Sequence, residues 1–250
     1  MPVLVKLAAL LLVAVTAALA DTGPAITYET NADGVRIATH EGRRFSLPFD
    51  RNMESFARDD EADPGKGQIV FTGSSTFVGW KTLKEDMAPL PVTNRAFGGS
   101  NSAQLWYYAE QAVLPREPRV LVVYIGDNDM PAEAVTVEVY MKYVDLLVQK
   151  VWARLPETRI AFVSSKPSVS RWHLWDKYLL ANKALRIYCE ADPKLTYIDT
   201  TYTLLDEYGV PRQEFFLPDN LHIRPEVYAD WTAAIKPVVE RLWDEVNTEG

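Results

Sequence analysis

A histidine stands three residues after an aspartate in Asp219-Asn220-Leu221-His222, near the end of the chain. It is one of only three histidines in 250 residues. Histidine is the side chain whose unperturbed pKa lies near neutral pH, so it can act as the base in nucleophilic hydrolysis. An aspartate beside it can keep one ring nitrogen protonated and leave the other free to take a proton from a serine. The pair predicts hydrolytic chemistry, although the same spacing also arises between surface charges.

Three further segments carry small or polar residues directly after apolar runs. The serines of Gly73-Ser74-Ser75-Thr76 can supply a nucleophile, bind a phosphate, or simply cap the next helix. Gly98-Gly99 offers a backbone donor or marks a turn. Gly126-Asp127-Asn128-Asp129 offers a side-chain amide donor or forms an ordinary polar loop. Together with the histidine, these segments provide a nucleophile, two donors and a base, which are the components of acyl transfer.

Alternating strands and helices must position these segments. Five apolar segments are predicted strands, and several are the continuous runs typical of strands buried on both faces. They are Gln68–Thr72, Pro91–Arg95, Arg119–Ile125, Arg159–Ser164 and Leu195–Asp199. Five strands joined by helical crossovers predict an α/β fold, a three-layer α/β/α sandwich around a parallel sheet. Functional groups collect at the carboxyl ends of the strands in such sheets, and each of the three segments follows such an end.

The first twenty residues are typical of a secretory signal peptide. Lys6 is their only charge, residues 7–17 are almost wholly apolar, and Ala18-Leu19-Ala20 fits a cleavage site before Asp21. The apolar core is shorter than the roughly 20 residues that span a bilayer. The sequence therefore predicts an exported protein, periplasmic or extracellular, with no stable membrane anchor after removal of the peptide at about Ala20.

Residues 21–65 differ from the remainder of the chain. Ala25–Glu29 and Val35–Thr39 are predicted to form a β-hairpin, and Phe49–Asp60 mixes charged and apolar residues at helical spacing. We interpret this region as an N-terminal extension packed on one main domain that covers residues 66–246.

Composition narrows the classes of partner. The net charge of −8 disfavours nucleic acid and anionic membrane surfaces. Cys189 is the only cysteine, so the chain forms no internal disulfide, and the residue is predicted to be buried on a helix. His40 is predicted to lie on the surface. The oligomeric state is left open.

The four segments, in their order along the chain, resemble the sequence blocks of the SGNH (GDSL-like) hydrolase superfamily from about residue 66 to 246. The resemblance maps the nucleophile to Ser75 and the oxyanion-hole donors to Ser75, Gly99 and Asn128. It maps the other catalytic residues to Asp219 and His222.

Two departures from the family pattern accompany this resemblance. Ser74 stands where the family often has aspartate, although some branches have Gly-Ser-Ser, and Ala96 and Gly98 depart from the second block. The resemblance implies a flavodoxin-like sheet and a serine esterase or lipase mechanism with a Ser-His-Asp triad. It implies no metal and no cofactor.

Several questions stay open at the level of sequence. Arg171 and Trp172 follow the fourth strand and are predicted to contact the substrate, although the tryptophan could instead pack on the next helix. The ester could be an acetylated carbohydrate, a short-chain ester, a thioester or a lysophospholipid. An acyltransferase would use the same acyl-enzyme. A flavodoxin-like flavin- or phosphate-binding protein, or a catalytically silent binding protein, would need neither Asp219 nor His222.

Overall fold

The structure, a computed structural model, describes residues 25–248, so the predicted signal peptide lies outside the described residues. Strands and helices alternate along most of this range. In chain order they are β1 (Thr27–Thr30), β2 (Arg36–His40), β3 (Arg43–Ser46), α1 (Asp50–Ala62), β4 (Ile69–Gly73), α2 (Ser75–Gly79), α3 (Leu83–Asp86), β5 (Val92–Asn94), α4 (Ser102–Ala112), β6 (Val120–Tyr124), α5 (Val137–Arg154), β7 (Arg159–Val163), α6 (Trp175–Glu190), β8 (Leu195–Ile198) and α7 (Tyr228–Thr248).

Strands β4 to β8 form one parallel sheet in the order β5-β4-β6-β7-β8. The first strand of the sheet in sequence therefore lies between the second and the third, which is the flavodoxin-like order. Every strand of this sheet lies within one residue of its predicted bounds, because continuous apolar runs mark strands covered on both faces. The predicted α/β fold with a five-stranded parallel sheet is confirmed.

Alternate residues of each strand supply two separate cores. On one face, Val70, Leu121 and Phe162 pack with α1, α4, α5 and α6. On the other face, Phe71 and Val122 pack with α2, α3 and α7. This alternation follows from the two-residue period of a strand and produces the three predicted layers.

Strands β1 to β3 form a second, antiparallel sheet. The predicted hairpin is present, with Thr27 opposite Thr39 in the β1–β2 pair. Strand β3 was not predicted; it follows β2 after a turn at Glu41 and Gly42, both with positive φ. The four residues of β3 are too few and too polar to stand out as a strand. That residues 21–65 are an extension and not a separate domain stays a prediction.

The predicted positions of two single residues, His40 and Cys189, can be compared with the structure. His40 is buried, with its ring 4.5 Å from that of Trp106 and its Nδ1 3.2 Å from the Tyr143 hydroxyl, so the predicted surface position is wrong. A charged neighbour in sequence concealed this packing. Cys189 is buried on α6 as predicted, and burial raises the pKa of its thiol to about 12. Within residues 25–248, no helix is long and apolar enough to cross a membrane.

Candidate active site

The turn from β4 into α2 brings Ser75 to the carboxyl edge of the sheet. Gly73 ends the strand with φ of +128°, and a Cβ there would lie 1.9 Å from the Tyr124 carbonyl oxygen, so only glycine fits. The Ser74 N–H donates to the same carbonyl at 3.1 Å. Ser75 is the first residue of α2, where an N–H has no carbonyl partner inside the helix. The geometry presents both the hydroxyl and the N–H of Ser75 at one edge.

The segment from Asp219 to His222 folds into a turn closed by its own aspartate. The Asp219 Oδ1 accepts the N–H groups of Leu221 at 2.9 Å and of His222 at 3.0 Å. The Leu217 N–H donates to the His222 carbonyl at 2.7 Å and closes the loop from the other side. These bonds fix the imidazole relative to the carboxylate before any substrate arrives.

The turn places His222 between a carboxylate and a hydroxyl. Its Nδ1 lies 2.6 Å from the Asp219 Oδ2, and its Nε2 lies 3.0 Å from the Ser75 Oγ. Partial burial would raise the pKa of Asp219, but the hydrogen bonds from the His222 ring and from two backbone N–H groups outweigh it and lower this pKa to about 2. An ionised carboxylate only accepts, so Nδ1 carries the proton and the Nε2 lone pair faces the serine hydroxyl.

The loop after β5 runs beside the serine. The Phe97 N–H and the Ser100 hydroxyl both donate to the Gly73 carbonyl, at 2.9 and 3.0 Å. A Cβ on Gly98 would lie 3.7 Å from the Ser75 Cβ, so this backbone is in van der Waals reach of the serine. Gly99 has φ of +85°, which side-chain-bearing residues rarely adopt.

Asn128 connects the serine turn to this loop. Its Nδ2 donates to the Ser74 Oγ at 2.8 Å and to the Ser100 carbonyl at 3.0 Å. Ser74 thus receives the amide at the position where the family often has aspartate. The structure brings all five residues predicted for the triad and oxyanion hole to one edge of the sheet: Ser75, Gly99, Asn128, Asp219 and His222.

Behind Asn128 lies a buried carboxylate with two cations. Asp127 accepts from Lys166 Nζ at 2.9 Å and from Arg171 Nη1 at 2.8 Å. The hydroxyls of Tyr124 and Tyr178 donate to it as well, at 3.0 and 3.2 Å. Burial would raise the pKa of Asp127, but the charges of Lys166 and Arg171 prevail and lower it.

Sequence reasoning missed Lys166 and Asp127 as parts of this arrangement. Lys166 follows β7 closely and is almost completely buried. A charged residue close to the end of a buried strand was the available signal, because it must reach a partner at the sheet edge. Arg171 also reaches the site, where its Nη2 donates to the Asn128 Oδ1 at 3.2 Å.

The last acidic residue of the same segment is tied to the N-terminal sheet. Asp129 is fully buried and accepts the Ser102 N–H at 2.9 Å and the Ser102 hydroxyl at 2.6 Å. Arg43 in β3 donates to it at 3.3 Å. Burial raises the pKa of Asp129 despite these donors. Arg43 carries no recognisable motif, so this contact could not be read from the sequence.

The residues predicted to contact substrate have different surroundings. Trp172 is partly exposed, and its ring stacks on Trp175 with centroids 5.6 Å apart. Arg171 directs its hydrogen bonds to Asp127 and Asn128. A substrate contact stays a prediction for both. Within residues 25–248, no cluster of three or more histidine, cysteine or acidic side chains could hold a metal.

The chain matches one family model and several solved structures. The family model of the GDSL-like lipase/acylhydrolase family matches residues 60–229. A GDSL-like lipase from Bacteroides thetaiotaomicron superposes with a TM-score of 0.65 at 18% identity, covering 76% of this chain and 98% of that one.

Two other solved structures have the same fold. A lipase/acylhydrolase from Enterococcus faecalis gives a TM-score of 0.56 at 17% identity, covering 69% and 95% of the two chains. A carbohydrate esterase family 3 protein from Talaromyces cellulolyticus gives 0.57 at 10% identity, covering 71% and 99%. At these identities the likeness shows the fold alone. None of the curated proteins matches the chain.

Proposed function

The chain belongs to the GDSL-like lipase/acylhydrolase family, and from that premise we propose that it is an exported serine hydrolase that cleaves carboxylic esters through an acyl-enzyme. One observation carries the proposal. The Ser75 hydroxyl, the His222 ring and the Asp219 carboxylate form a continuous hydrogen-bonded chain, with contacts of 3.0 and 2.6 Å. A flavin- or phosphate-binding protein would not need this series of hydrogen bonds between Ser75, His222 and Asp219.

Acylation begins at the serine. The Nε2 of His222 takes the proton of the Ser75 hydroxyl while Oγ attacks the ester carbonyl carbon. The charge that forms on the imidazole is stabilised by Asp219, which remains ionised because its pKa is about 2. The imidazolium then gives the proton to the departing alkoxide, which leaves as the alcohol.

The oxyanion of the tetrahedral intermediate needs donors that are already in place. The Ser75 and Gly99 N–H groups and the Asn128 Nδ2 are the proposed donors. Asn128 Nδ2 rests against two oxygens, Ser74 Oγ and Ser100 O, in the free protein. On acylation the Nδ2 group exchanges one of these two hydrogen bonds for one to the oxyanion, or shares it. Because the amide is already held in place, binding of the ester oxygen does not have to order a mobile side chain. Water, activated by the same histidine, then releases the acid.

Labelling with a fluorophosphonate tests the nucleophile. Intact mass and peptide mapping should show one modified residue, Ser75, and the Ser75→Ala variant should stay unlabelled. Ser74 provides the internal control, because it is adjacent but its hydroxyl is buried and bonded to Asn128. Labelling at Ser74, or undiminished labelling of Ser75→Ala, would exclude the proposed mechanism.

Substrate class needs a separate measurement. A ladder of p-nitrophenyl esters of increasing acyl length, run beside acetylated sugars, thioesters and lysophospholipids, separates the ester classes that remain open. Adding an alcohol acceptor separates hydrolysis from acyl transfer, because a transferase yields a new ester in place of the free acid. For export, the protein recovered outside the cytoplasm should begin at Asp21.

A further inference from the structure

Arg171 bridges a buried carboxylate and a proposed oxyanion donor. Its Nη1 donates to the buried Asp127 Oδ1 at 2.8 Å, and its Nη2 donates to the Asn128 Oδ1 at 3.2 Å. We propose that Arg171 is a positioning residue, which holds and polarises the Asn128 amide so that an N–H group of its Nδ2 is available to the oxyanion. The inference rests on the proposed function, since it assigns Arg171 a part in that same site.

The orientation of the amide follows from its partners. A guanidinium only donates, so the Asn128 atom facing Arg171 must be the oxygen. The Ser100 carbonyl only accepts, so the atom facing it at 3.0 Å must be the nitrogen. The amide is therefore held at both ends, and a rotated amide would set two donors against each other at one end and two acceptors at the other.

Charge adds to this geometry. Asp127 is paired with both Lys166 and Arg171, so one carboxylate faces two cations and the buried group carries a net positive charge. The side chains of Lys166 and Asp127 are 0% and 4% exposed, so water screens these charges poorly. A charged donor on the amide oxygen withdraws electron density and strengthens its N–H groups as donors. A net positive charge behind the amide favours the oxyanion over the neutral ester.

The contacts argue against the simpler roles. A residue that serves substrate binding alone would direct its N–H groups toward the substrate. Arg171 instead donates to the buried Asp127 and to the amide oxygen of Asn128. A residue that serves folding alone would need only the ion pair with Asp127, which a lysine can also make. The fork that reaches Asn128 is what a lysine cannot reproduce, because its ammonium is a compact point charge.

The test therefore uses Arg171→Lys, which retains the charge beside Asp127 and loses the fork. We expect kcat to fall about tenfold with KM unchanged, since loss of the whole donor typically costs about 10²–10³ in kcat. The melting temperature should stay close to that of the parent protein. In an Asn128→Ala background the same substitution should cost less than about threefold, because its effect acts through the amide. Arg186→Lys, which alters an exposed ion pair with Asp199, is the matched control and should leave kcat unchanged.

A second readout does not depend on catalysis. In ¹⁵N-labelled protein, the Asn128 side-chain NH₂ signal is the one that Asn128→Ala removes. It should move in Arg171→Lys and stay in place in Arg186→Lys. Were the intact protein inactive on every ester, the proposed function would fail while this spectrum still tested the contact.

Three results would overturn the inference. A rise in KM alone would make Arg171 a substrate-binding residue. An equal loss of kcat in the Asn128→Ala background would show that it acts independently of the amide. An unmoved NH₂ signal in Arg171→Lys would show that the amide does not sense the guanidinium.

Discussion

Replacing Asp219 with asparagine should invert the protonation of His222 without disturbing the turn. The Asp219 Oδ1 accepts two backbone N–H groups, from Leu221 and His222. An asparagine must offer its oxygen to these donors, because turning its NH₂ group toward them would set donors against donors. The NH₂ group then occupies the position of Oδ2 and donates to Nδ1, which forces the ring proton onto Nε2. Ser75 then faces a donor where it needs a base.

The size of the loss follows from how well water can intervene. In a triad whose aspartate is buried, the corresponding change lowers kcat about 10⁴-fold because the wrong tautomer dominates. Here the side chains of Asp219 and His222 are 48% and 38% exposed, so water can replace the amide at Nδ1 and restore some productive tautomer. We therefore expect a loss of roughly 10³-fold, about 4 kcal/mol in activation free energy. Hydrolysis of a p-nitrophenyl ester with kcat and KM determined separately measures it.

Asp206→Asn is a matched control for the turn. The Asp206 Oδ1 also accepts two backbone N–H groups, from Tyr208 and Val210, in an exposed turn with no histidine partner. Both variants should melt close to the parent protein, and only Asp219→Asn should lose activity. Full activity of Asp219→Asn would refute the tautomer argument. An equal loss in Asp206→Asn would attribute the effect to the fold instead.

Further predictions concern the remaining groups of the site. Acidification should lower kcat/KM, because protonation of His222 removes the lone pair that accepts the serine proton, whereas Asp219, with a pKa of about 2, stays ionised. A rate profile of the parent protein and the His222→Ala variant from pH 5 to 8 checks this. A flat profile together with an active His222→Ala variant would exclude His222 as the base. Asn128→Ala should lower kcat by about 10²–10³ with little change in KM, and Asn128→Asp should be at least as harmful because a carboxylate repels the oxyanion; a change in KM alone would assign Asn128 to substrate binding. Trp172→Ala should alter the preference among acyl chains or alcohol groups more than the melting temperature, and a lower melting temperature with unchanged preference would assign the ring to packing on α6.

The strands of the main sheet could be predicted because their burial leaves a direct trace in sequence. Val120 to Tyr124 are all buried, so the run contains only aliphatic residues and one tyrosine. The helical crossovers limit the direction in which it pairs. The small sheet leaves a weaker trace. Strand β3 buries only Phe45 among its four residues, and burial of His40 against Trp106 depends on a helix more than 60 residues away.

The site divides in the same way. The positions of Ser75 and Asn128 at the sheet edge could be predicted because each closely follows a strand within a short motif. His222 follows no strand closely, and its pairing with Asp219 could be predicted only from their three-residue spacing. Lys166 and Arg171 are held by one carboxylate, and no spacing in the sequence states which carboxylate that is. Their role depends on the depth at which Asp127 is buried, which is a property of the assembled fold.

The N-terminal sheet is connected to the candidate active site more closely than its position in the sequence indicates. The family match begins at residue 60, after β3 has ended, yet Arg43 in β3 supplies the cation facing Asp129. That carboxylate holds the first residue of α4 through the N–H and hydroxyl of Ser102, and it directly follows Asn128. Burial already raises the pKa of Asp129, so the charged form of this carboxylate depends on each donor that stabilises it. Strand β3, which lies outside the family match, therefore helps to keep Asp129 charged. Asp129 couples the loop that carries Asn128 to the start of α4, and through Ser102 to the loop that carries Gly99.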